Sequence, residues 1–367
     1  MSLHHVEPDR VPIDFGGPMS TAEVEGYKPL KRLLGIEDPV TVFTRAHAKP
    51  EEVVLQRFEV DTRYVYSGFP EQWNPDKYPD RSYDDVWGVT FKMPKGSYYY
   101  DPVSFPLQEA KIQELESYPW PSSFDKDTVN WWKRQAAQLS KENKYAVIGD
   151  AIGWGIFEQA WALRGLSRFL IDMYKDRAFA EALLDKVLET QLQRFEAYLG
   201  AIGTSIDVVV TSDDLGMQTA PMMSPDLYRK IVKPRHRRLY RAIKAQTNAK
   251  LFLHTCGAVR PFIPDFIDLG IDILNPIQVA AANMDDTASL KREFGKDIVF
   301  WGGACDSQKV LPFGSPEEVR AEVRRRIDDL APGGGFVFAP IHNIQPGVPP
   351  ENIVALYEAA AEFGTYS

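Results

Sequence analysis

The sequence contains the stretch Lys250-Leu251-Phe252-Leu253-His254-Thr255-Cys256-Gly257, in which a mostly apolar run is followed at once by a histidine and a cysteine. Runs of this length and character are typical of buried strands. In a barrel of alternating strands and helices, the residues at the carboxyl ends of the strands face the active-site cavity. The stretch therefore predicts a strand that delivers His254 and Cys256 to a pocket.

Similar apolar runs occur at intervals through the C-terminal two-thirds of the chain. Each is short, mostly apolar and rich in Val, Ile and Phe, as is typical of parallel strands that are covered on both faces. With 251–254, these runs are 145–150, 206–211, 271–275, 298–301 and 336–339.

Helical patterns lie between these runs. Residues 226–245 have a helical period, a second helix begins behind Ser315 and extends to about residue 330, and Pro349-Pro350 opens the last one. Repeated βα units predict an α/β fold with a parallel sheet. Six units favour a closed (β/α)8 TIM-type barrel, and the alternative is an open doubly wound sheet.

The first 140 residues are less regular and are rich in Pro, Tyr and Trp, among them Trp73, Pro75 and Pro79. The run 61–66 is a candidate for the first barrel strand, and 87–92 with 97–100 reads as a hairpin. The simplest organisation is a single domain over 1–367. Within it, residues 1–140 form an N-terminal extension with the first strand, and residues 141–367 form the βα repeats.

Charge and composition exclude several function classes. The chain has 367 residues, 25% of them charged, and a formal net charge of -9, which argues against nucleic acid and anionic membranes as partners. No apolar segment approaches the roughly 20 residues that cross a bilayer, and the start lacks an apolar signal core. Two cysteines cannot form a disulfide framework. We therefore expect a cytoplasmic protein.

Two further metal-ligand candidates follow predicted strands. Cys305 comes after 298–301, and His342 comes after 336–339. Imidazole and thiolate groups are the ligands that zinc prefers. If the strands are parallel neighbours, we expect His254, Cys256, His342 and Cys305 to converge on one ion. The alternative is that each cysteine is a small buried hydrophobe and each histidine a satisfied polar group.

Most of the other predicted strands also end in polar side chains. Asp213 and Asp214 are adjacent, so they point to opposite sides of a strand and only one can face the pocket. We select Asp214 and Asp150 as candidate catalytic residues, with helix capping as the alternative role. The remaining polar candidates at strand ends are Asn275, Gln278, Asp306 and Gln345. Nucleotide-binding loops and serine-nucleophile motifs are missing from the sequence.

Several motifs resemble the uroporphyrinogen decarboxylase superfamily over nearly the whole chain. They are Pro8-Asp9-Arg10-Val11-Pro12, Asp213-Asp214-Leu215-Gly216, His254-Thr255-Cys256-Gly257, Trp301-Gly302-Gly303, His342-Asn343-Ile344-Gln345-Pro346 and Pro349-Pro350-Glu351-Asn352-Ile353. The resemblance implies a (β/α)8 barrel. The decarboxylases of the superfamily bind substrate carboxylates with the arginines of an Arg-Gln-Ala-Gly-Arg segment. This chain lacks that segment, and Arg10 and Arg63 are nearly the only candidate arginines in its N-terminal region. The chain is therefore more similar to the methyltransferase-like branch.

That branch moves methyl groups between a corrinoid and a thiol, and it uses zinc. Its pattern of His-x-Cys plus a last-strand cysteine resembles His254 and Cys256, with His342 in the position of the last cysteine. The resemblance implies a zinc-dependent methyltransferase or demethylase that acts on a small substrate or thiol. It also implies a corrinoid carried by a separate partner protein, and a homodimer. The candidate substrate-binding residues are Arg63, Asn275, Gln278, Asp306 and Gln345.

Two alternatives stay open at this point. One is a cofactor-free decarboxylase of the uroporphyrinogen type, in which a general acid such as Asp61 or Asp214 protonates the product. The other is a non-catalytic barrel that binds a metal or a tetrapyrrole.

Overall fold

The structure is a computed structural model, and it describes residues 1–44, 46–72, 74, 77, 81–97 and 99–366. The strands are β1 Thr41–Val42, β2 Ala48–Lys49, β3 Thr62–Val65, β4 Glu71–Gln72, β5 Ser82–Asp84, β6 Thr90–Lys92, β7 Asp101–Ser104, β8 Ala146–Gly149, β9 Val208–Ser212, β10 Lys250–His254, β11 Ile273–Asn275, β12 Val299–Trp301 and β13 Phe336–Val337. The helices are α1 Val24–Leu33, α2 Glu52–Arg57, α3 Lys126–Glu142, α4 Ile156–Arg164, α5 Leu166–Lys175, α6 Arg177–Ile202, α7 Pro225–Leu227, α8 Lys233–Lys244, α9 Ile263–Asp268, α10 Thr287–Phe294, α11 Val310–Phe313, α12 Pro316–Leu330 and α13 Pro350–Phe363.

One parallel sheet dominates the fold. Its seven strands lie in the order β13-β12-β11-β10-β9-β8-β3, so each strand from β8 onward pairs with the next strand of the series in the chain. A doubly wound sheet would reverse its strand order at a switch point. The order observed here does not reverse, and it confirms the barrel prediction over the open sheet.

A short N-terminal segment joins the two ends of this sheet. The backbone N–H of Phe338 donates to Pro12 O, and the N–H of Asp14 donates to Phe338 O, each at 2.8 Å. On the other side, the N–H of Asp61 donates to Ile13 O at 2.8 Å. The segment therefore occupies the eighth place in the ring, which the sequence patterns did not predict because it is too short to show a period.

The side chain of Asp14 ties this segment to the barrel interior. Its carboxylate accepts hydrogen bonds from Thr62 Oγ1 at 2.6 Å, from Tyr64 OH at 3.0 Å and from Trp301 Nε1 at 2.9 Å. Burial raises the pKa of Asp14. Three donors from β3 and β12 compensate for the desolvation of the group.

Side chains alternate between the inside of the barrel and the layer beneath the helices. Phe252 of β10 faces inward, whereas Leu251 and Leu253 pack outward. Because the period of a strand is two residues, His254 must face the same way as Phe252. The inward-facing apolar residues form their own cluster, which includes Ile148, Val208, Val210, Ile273, Val299, Trp301 and Val337.

The strand and helix predictions of the C-terminal region agree with the structure to within about two residues, an ordinary margin for element ends. Ser315 and Glu318 form a reciprocal cap at the start of α12, in which Ser315 N donates to the Glu318 carboxylate at 2.7 Å. The predicted helix at 226–245 comprises α7, a wider turn at Tyr228–Val232, and α8. None of the described helices is long and apolar enough to span a membrane.

The N-terminal predictions are confirmed only partly. The run 61–66 does form a strand of the barrel, β3, although the segment at Ile13 precedes it in the ring. The hairpin is a three-stranded antiparallel sheet in the order β5-β6-β7, and its last strand starts one residue beyond the predicted 97–100. Tyr98 of that prediction lies outside the described residues, as do Trp73, Pro75 and Pro79.

Candidate metal centre

His254 is held at the carboxyl end of β10 by the end of the next strand. Its Nδ1 lies 2.5 Å from Oδ1 of Asn275, and Nδ2 of Asn275 donates to Trp301 O at 2.9 Å. Because the amide nitrogen of Asn275 is the donor to Trp301, its Oδ1 is the acceptor for His254. The proton of the imidazole therefore sits on Nδ1, and the lone pair of Nε2 faces the sulfur of Cys256.

Cys256 lies beside that lone pair. Its Sγ is 3.3 Å from His254 Nε2. The backbone N–H of Cys256 donates to Asp214 Oδ1 at 2.7 Å, and the N–H of Gly257 donates to Gln278 Oε1 at 2.8 Å. Two side chains from neighbouring strand ends thus fix the loop that carries the thiol.

The loop also depends on the absence of a side chain at Gly257. This residue has φ +89°, and a Cβ there would lie 2.4 Å from the backbone of Gly216. Such a position favours glycine on both conformational and steric grounds.

His342 completes a group of three potential ligands. One donor atom from each of His254, Cys256 and His342 lies within 4.8 Å of the other two, and the two imidazole centroids are 5.4 Å apart. Burial, with His254 and His47 nearby, lowers the pKa of His342 to about 3, so its imidazole is neutral at physiological pH. Its Nδ1 accepts from Asn343 N at 2.8 Å. The proton of the neutral ring is therefore on Nε2.

Two carboxyl groups lie next to the thiol, the buried Glu158 and the partly exposed Asp214. Asp214 Oδ1 is 3.9 Å from His254 Nε2, and Glu158 accepts from Ser212 Oγ at 3.3 Å. Burial raises the pKa of both groups, and the charge of Asp214 adds to the shift of Glu158. Burial, together with these two acids, also raises the pKa of the Cys256 thiol well above its usual value.

Glu158 is a residue that the sequence reasoning missed. It lies in the first turn of α4 and not at a strand end, so the search for polar groups directly after strands passed over it. The available signal was a single acid, Glu158, within the mostly apolar stretch from Ile156 to Leu163. A buried ionisable residue in such a stretch is a candidate for function.

The adjacent carboxylates Asp213 and Asp214 do point apart. Asp213 accepts the N–H groups of Phe157 and Glu158 at 2.8 Å and lies 2.7 Å from His236 Nε2. It is fully buried, and it satisfies the exposed amides at the start of α4. Asp213 thereby holds the start of α4, which carries Glu158 next to Cys256, while Asp214 faces the thiol.

Asp150 lies at the end of β8 and keeps one oxygen free. Its Oδ2 accepts both the N–H and the hydroxyl of Ser67 at 2.8 Å, whereas no described group hydrogen-bonds to its buried Oδ1. Burial raises the pKa of Asp150 to about 6.

His47 is a second residue that the sequence reasoning did not predict. Its Nε2 contacts Glu23 at 3.2 Å, and its buried Nδ1 has no partner within the described part of the chain.

Gln345 is linked to His342 through the ring of Tyr99. Its Nε2 donates to Tyr99 OH at 2.5 Å and to Asn343 O at 2.9 Å. The ring of Tyr99 lies 5.9 Å from that of His342.

Asn275 and Gln278 were predicted as substrate-binding residues. In the structure Asn275 contacts His254, and Gln278 accepts from the backbone of the loop that carries Cys256.

Cys305, predicted as a fourth ligand, is not brought into the group that His254, Cys256 and His342 form. It is buried in the layer between the sheet and the helices, where burial and the acids Glu322 and Asp306 raise the pKa of its thiol. Asp306, predicted to bind substrate, uses its carboxylate to accept the N–H groups of Gln308 and Lys309 at 2.7 and 2.9 Å. Both residues belong to the turn after β12.

Asp61 and Arg63 are also placed away from the centre, contrary to the predictions that they act there. Asp61 precedes β3, at the amino end of the barrel, and binds Arg10 through both oxygens at 2.8 and 2.9 Å. Arg63 points outward from β3, donates to Glu52 at 2.7 Å and lies 3.6 Å from the centroid of the Tyr145 ring. In a (β/α)8 barrel the active-site residues lie at the carboxyl ends of the strands. Asp61 and Arg63 instead lie at or near the start of β3.

Comparisons with known proteins point to one family. A family model described as uroporphyrinogen decarboxylase matches residues 85–363. A uroporphyrinogen decarboxylase from Thioalkalivibrio sulfidiphilus is 40% identical over 87 residues, which is 23% of this chain and 24% of the relative. Another, from Methylococcus capsulatus, is 25% identical over 195 residues, or 52% of this chain and 51% of the relative. The chain thus spans about half or less of the length of these curated relatives.

A solved structure matches over a greater length. The methyltransferase from Methanosarcina mazei has a TM-score of 0.66 and 20% identity, and the match covers 99% of this chain and 96% of that one. At this identity the likeness shows the fold. Since the family model spans most of the sequence, the chain belongs to the uroporphyrinogen decarboxylase family.

Proposed function

We propose that this protein is a zinc-dependent methyltransferase or demethylase that moves a methyl group between a small substrate or thiol and a corrinoid carried by a partner protein. His254, Cys256 and His342 are the proposed zinc ligands. The observation that carries the proposal is the convergence of two imidazoles and one thiol, from two separate strand ends, within 4.8 Å.

The chemistry of this donor set fits zinc. Two nitrogens and one sulfur leave a fourth position open, as in catalytic zinc sites. His254 already directs a lone pair at the centre through the Asn275 hydrogen bond. His342 has to free one nitrogen, because its Nδ1 accepts from Asn343 while Nε2 holds the proton. That exchange costs one hydrogen bond, which a metal–nitrogen bond would replace.

Zinc bound there would lower the pKa of a coordinated thiol and hold the sulfur for attack on a methyl carbon. The protein has to receive the protons that this chemistry releases. Asp214 and Glu158 lie next to Cys256, and burial raises the pKa of both carboxyl groups, which makes their carboxylates better proton acceptors. Asp150, with its free Oδ1, is the proposed acceptor for a polar group of the substrate.

Charge distinguishes this proposal from decarboxylation of a polycarboxylated tetrapyrrole. Such a substrate needs several cations at the barrel mouth. Arg10 and Arg63 are not at the barrel mouth, because Arg10 binds Asp61 and Arg63 binds Glu52 at or near the start of β3. A cofactor-free decarboxylase is the second candidate, and the acids Asp214 and Glu158, whose pKa values are raised, favour it because either could protonate a carbanion.

The test is to measure zinc by mass spectrometry in the full-length protein and in the variants Cys256→Ser and Cys305→Ser. We expect stoichiometric zinc in the parent protein and in Cys305→Ser, and loss of zinc in Cys256→Ser. Methyl transfer between methylcobalamin and a small thiol, followed by absorbance, should depend on the same zinc. Metal-free parent protein that decarboxylates uroporphyrinogen would favour the second candidate. Protein that contains metal but shows neither methyl transfer nor decarboxylation would favour a non-catalytic metal-binding barrel.

A further inference from the structure

A cavity of about 320 Å³ lies beside β3, between the chain that leads into α2 and the helix α3. Its lining includes Lys49, Tyr66, Gln135, Phe15 and Leu139, and it shares no residue with the metal-ligand group. It therefore differs from the centre at the strand ends, and the proposed methyl transfer assigns it no role.

Most charges in the lining of this cavity are already neutralised. Glu51 binds Lys31 and the hydroxyl of Tyr27, and Glu52 binds Arg63 at 2.7 Å.

Among the charged residues that line the cavity, Lys49 is the one whose charge is not neutralised by a bound partner in the part of the chain that the structure describes. Within these described residues, no carboxylate forms an ion pair with its ammonium group, and Glu51, whose charge acts on it, is already bound to other groups. Burial lowers the pKa of Lys49. Its Nζ lies 5.7 Å from the centroid of the Tyr66 ring. A half-buried cation with an aromatic neighbour and no anion is ready to receive an anionic group.

Gln135 supplies a second unused donor to the same cavity. Its Nε2 is buried, and no hydrogen-bond partner for it exists in the described part of the chain. Buried amide nitrogens nearly always have a partner, so an unsatisfied one is a sign of a missing ligand or water. The rest of the lining contributes apolar surface from Phe15, Leu55 and Leu139.

We propose that this cavity is a binding site for a small monocarboxylate, with its carboxylate against Lys49 and Gln135 and its apolar body against Phe15, Leu55 and Leu139. One cation and one amide match a single negative charge that has two acceptor oxygens. A phosphate group carries about twice that charge near neutral pH and lacks an apolar body, so it fits the lining less well.

The experiment is a calorimetric titration of the full-length protein with benzoate. Lys49→Met should weaken binding about ten-fold or more, because a charge-assisted contact is lost. Gln135→Leu should weaken it about five-fold. The matched control is Lys133→Met, since Lys133 is an exposed lysine of α3, and it should bind like the parent. Lys49→Arg keeps the charge and should retain most of the affinity.

Two further ligands test whether the site recognises the carboxylate of benzoate and whether it prefers a carboxylate to a phosphate. Benzyl alcohol, which is the neutral counterpart of benzoate, should bind at least ten-fold more weakly if the carboxylate is what Lys49 recognises. Inorganic phosphate should not displace benzoate. The proposal is overturned if benzoate does not bind, if benzyl alcohol binds equally well, if phosphate binds more tightly, or if Lys49→Met retains full affinity while remaining folded by circular dichroism.

Discussion

Asn275 Oδ1 lies 2.5 Å from His254 Nδ1, so an amide at the end of one strand fixes the proton of an imidazole at the end of the strand beside it. The register of the two strands sets this contact, since His254 pairs directly with Asn275 across β10 and β11. The consequence is a nitrogen lone pair that points at the sulfur of Cys256. The proposed metal binding therefore depends on a residue that is not itself one of the proposed ligands.

Asn275→Leu should reduce zinc affinity about 10- to 100-fold, the usual effect of removing the partner of a metal-binding histidine. The measurement is competition with a chromophoric chelator. Asn248→Leu is the control, because Asn248 is exposed and away from the centre, and its zinc affinity should not change. Equal affinities for the two variants would mean that Asn275 does not orient His254.

Asp150→Asn should change stability in a way that depends on pH. Burial raises the pKa of Asp150 to about 6, above the value of 3.8 for the unperturbed group. The folded state therefore binds this proton more tightly than the unfolded state does, and its contribution to stability is lost as the pH rises from about 4 to 6. At pH 8 the ionised form costs roughly 3 kcal/mol, as an upper estimate.

The asparagine has no charge and keeps an oxygen for the two donors of Ser67. We expect it to raise the free energy of unfolding by about 1–3 kcal/mol at pH 8, and by less at pH 5. Urea unfolding at the two pH values measures the difference. A difference that does not change with pH would contradict the assignment of the shift to Asp150.

Asp213→Ala should destabilise the fold strongly. The substitution leaves the amides of Phe157 and Glu158 without an acceptor and removes the partner of His236. Loss of a buried, multiply bonded carboxylate costs about 3–5 kcal/mol. Urea unfolding should show this loss, whereas Asp226→Ala, at an exposed aspartate, should stay within about 0.5 kcal/mol of the parent. Similar values for the two variants would refute the anchoring role of Asp213.

Asp61→Asn should leave methyl transfer and zinc content unchanged, because Asp61 binds Arg10 at the amino end of the barrel. The ion pair is partly exposed, so its loss should cost about 1 kcal/mol or less. Asp214→Asn is the matched comparison, and it should reduce the methyl-transfer rate about 100-fold, as expected for loss of a general acid or base. If Asp61→Asn is the more damaging variant, the position of the proposed site is wrong.

Much of the barrel could be predicted from the chain alone. The apolar runs of β8 to β13 have the length and composition of doubly covered parallel strands, and their alternation with helical periods leaves few topologies. The position of His254 also followed from local pattern, because the period of the strand puts it on the same face as Phe252. These features depend on neighbouring residues in the sequence, which is why they could be read there.

The closing segment at Ile13 and the acid Glu158 could not be predicted in this way. The first has too few residues to show a period, and its hydrogen bonds run to Phe338 and Asp61, which are distant in sequence. The second lies next to Cys256 at the start of α4, which is anchored by Asp213, a residue 55 positions further along the chain.

The sequence by itself determined the fold class, the family motifs and a set of four candidate ligands. Only the tertiary structure decided that His342 joins His254 and Cys256 while Cys305 lies in the layer beneath the helices. The same holds for Asp61 and Arg63, whose places near the start of β3 put them away from the centre. The physical reason is that a strand pattern gives the order of residues along one edge, whereas their convergence depends on how the ring closes and which way each loop turns after its strand.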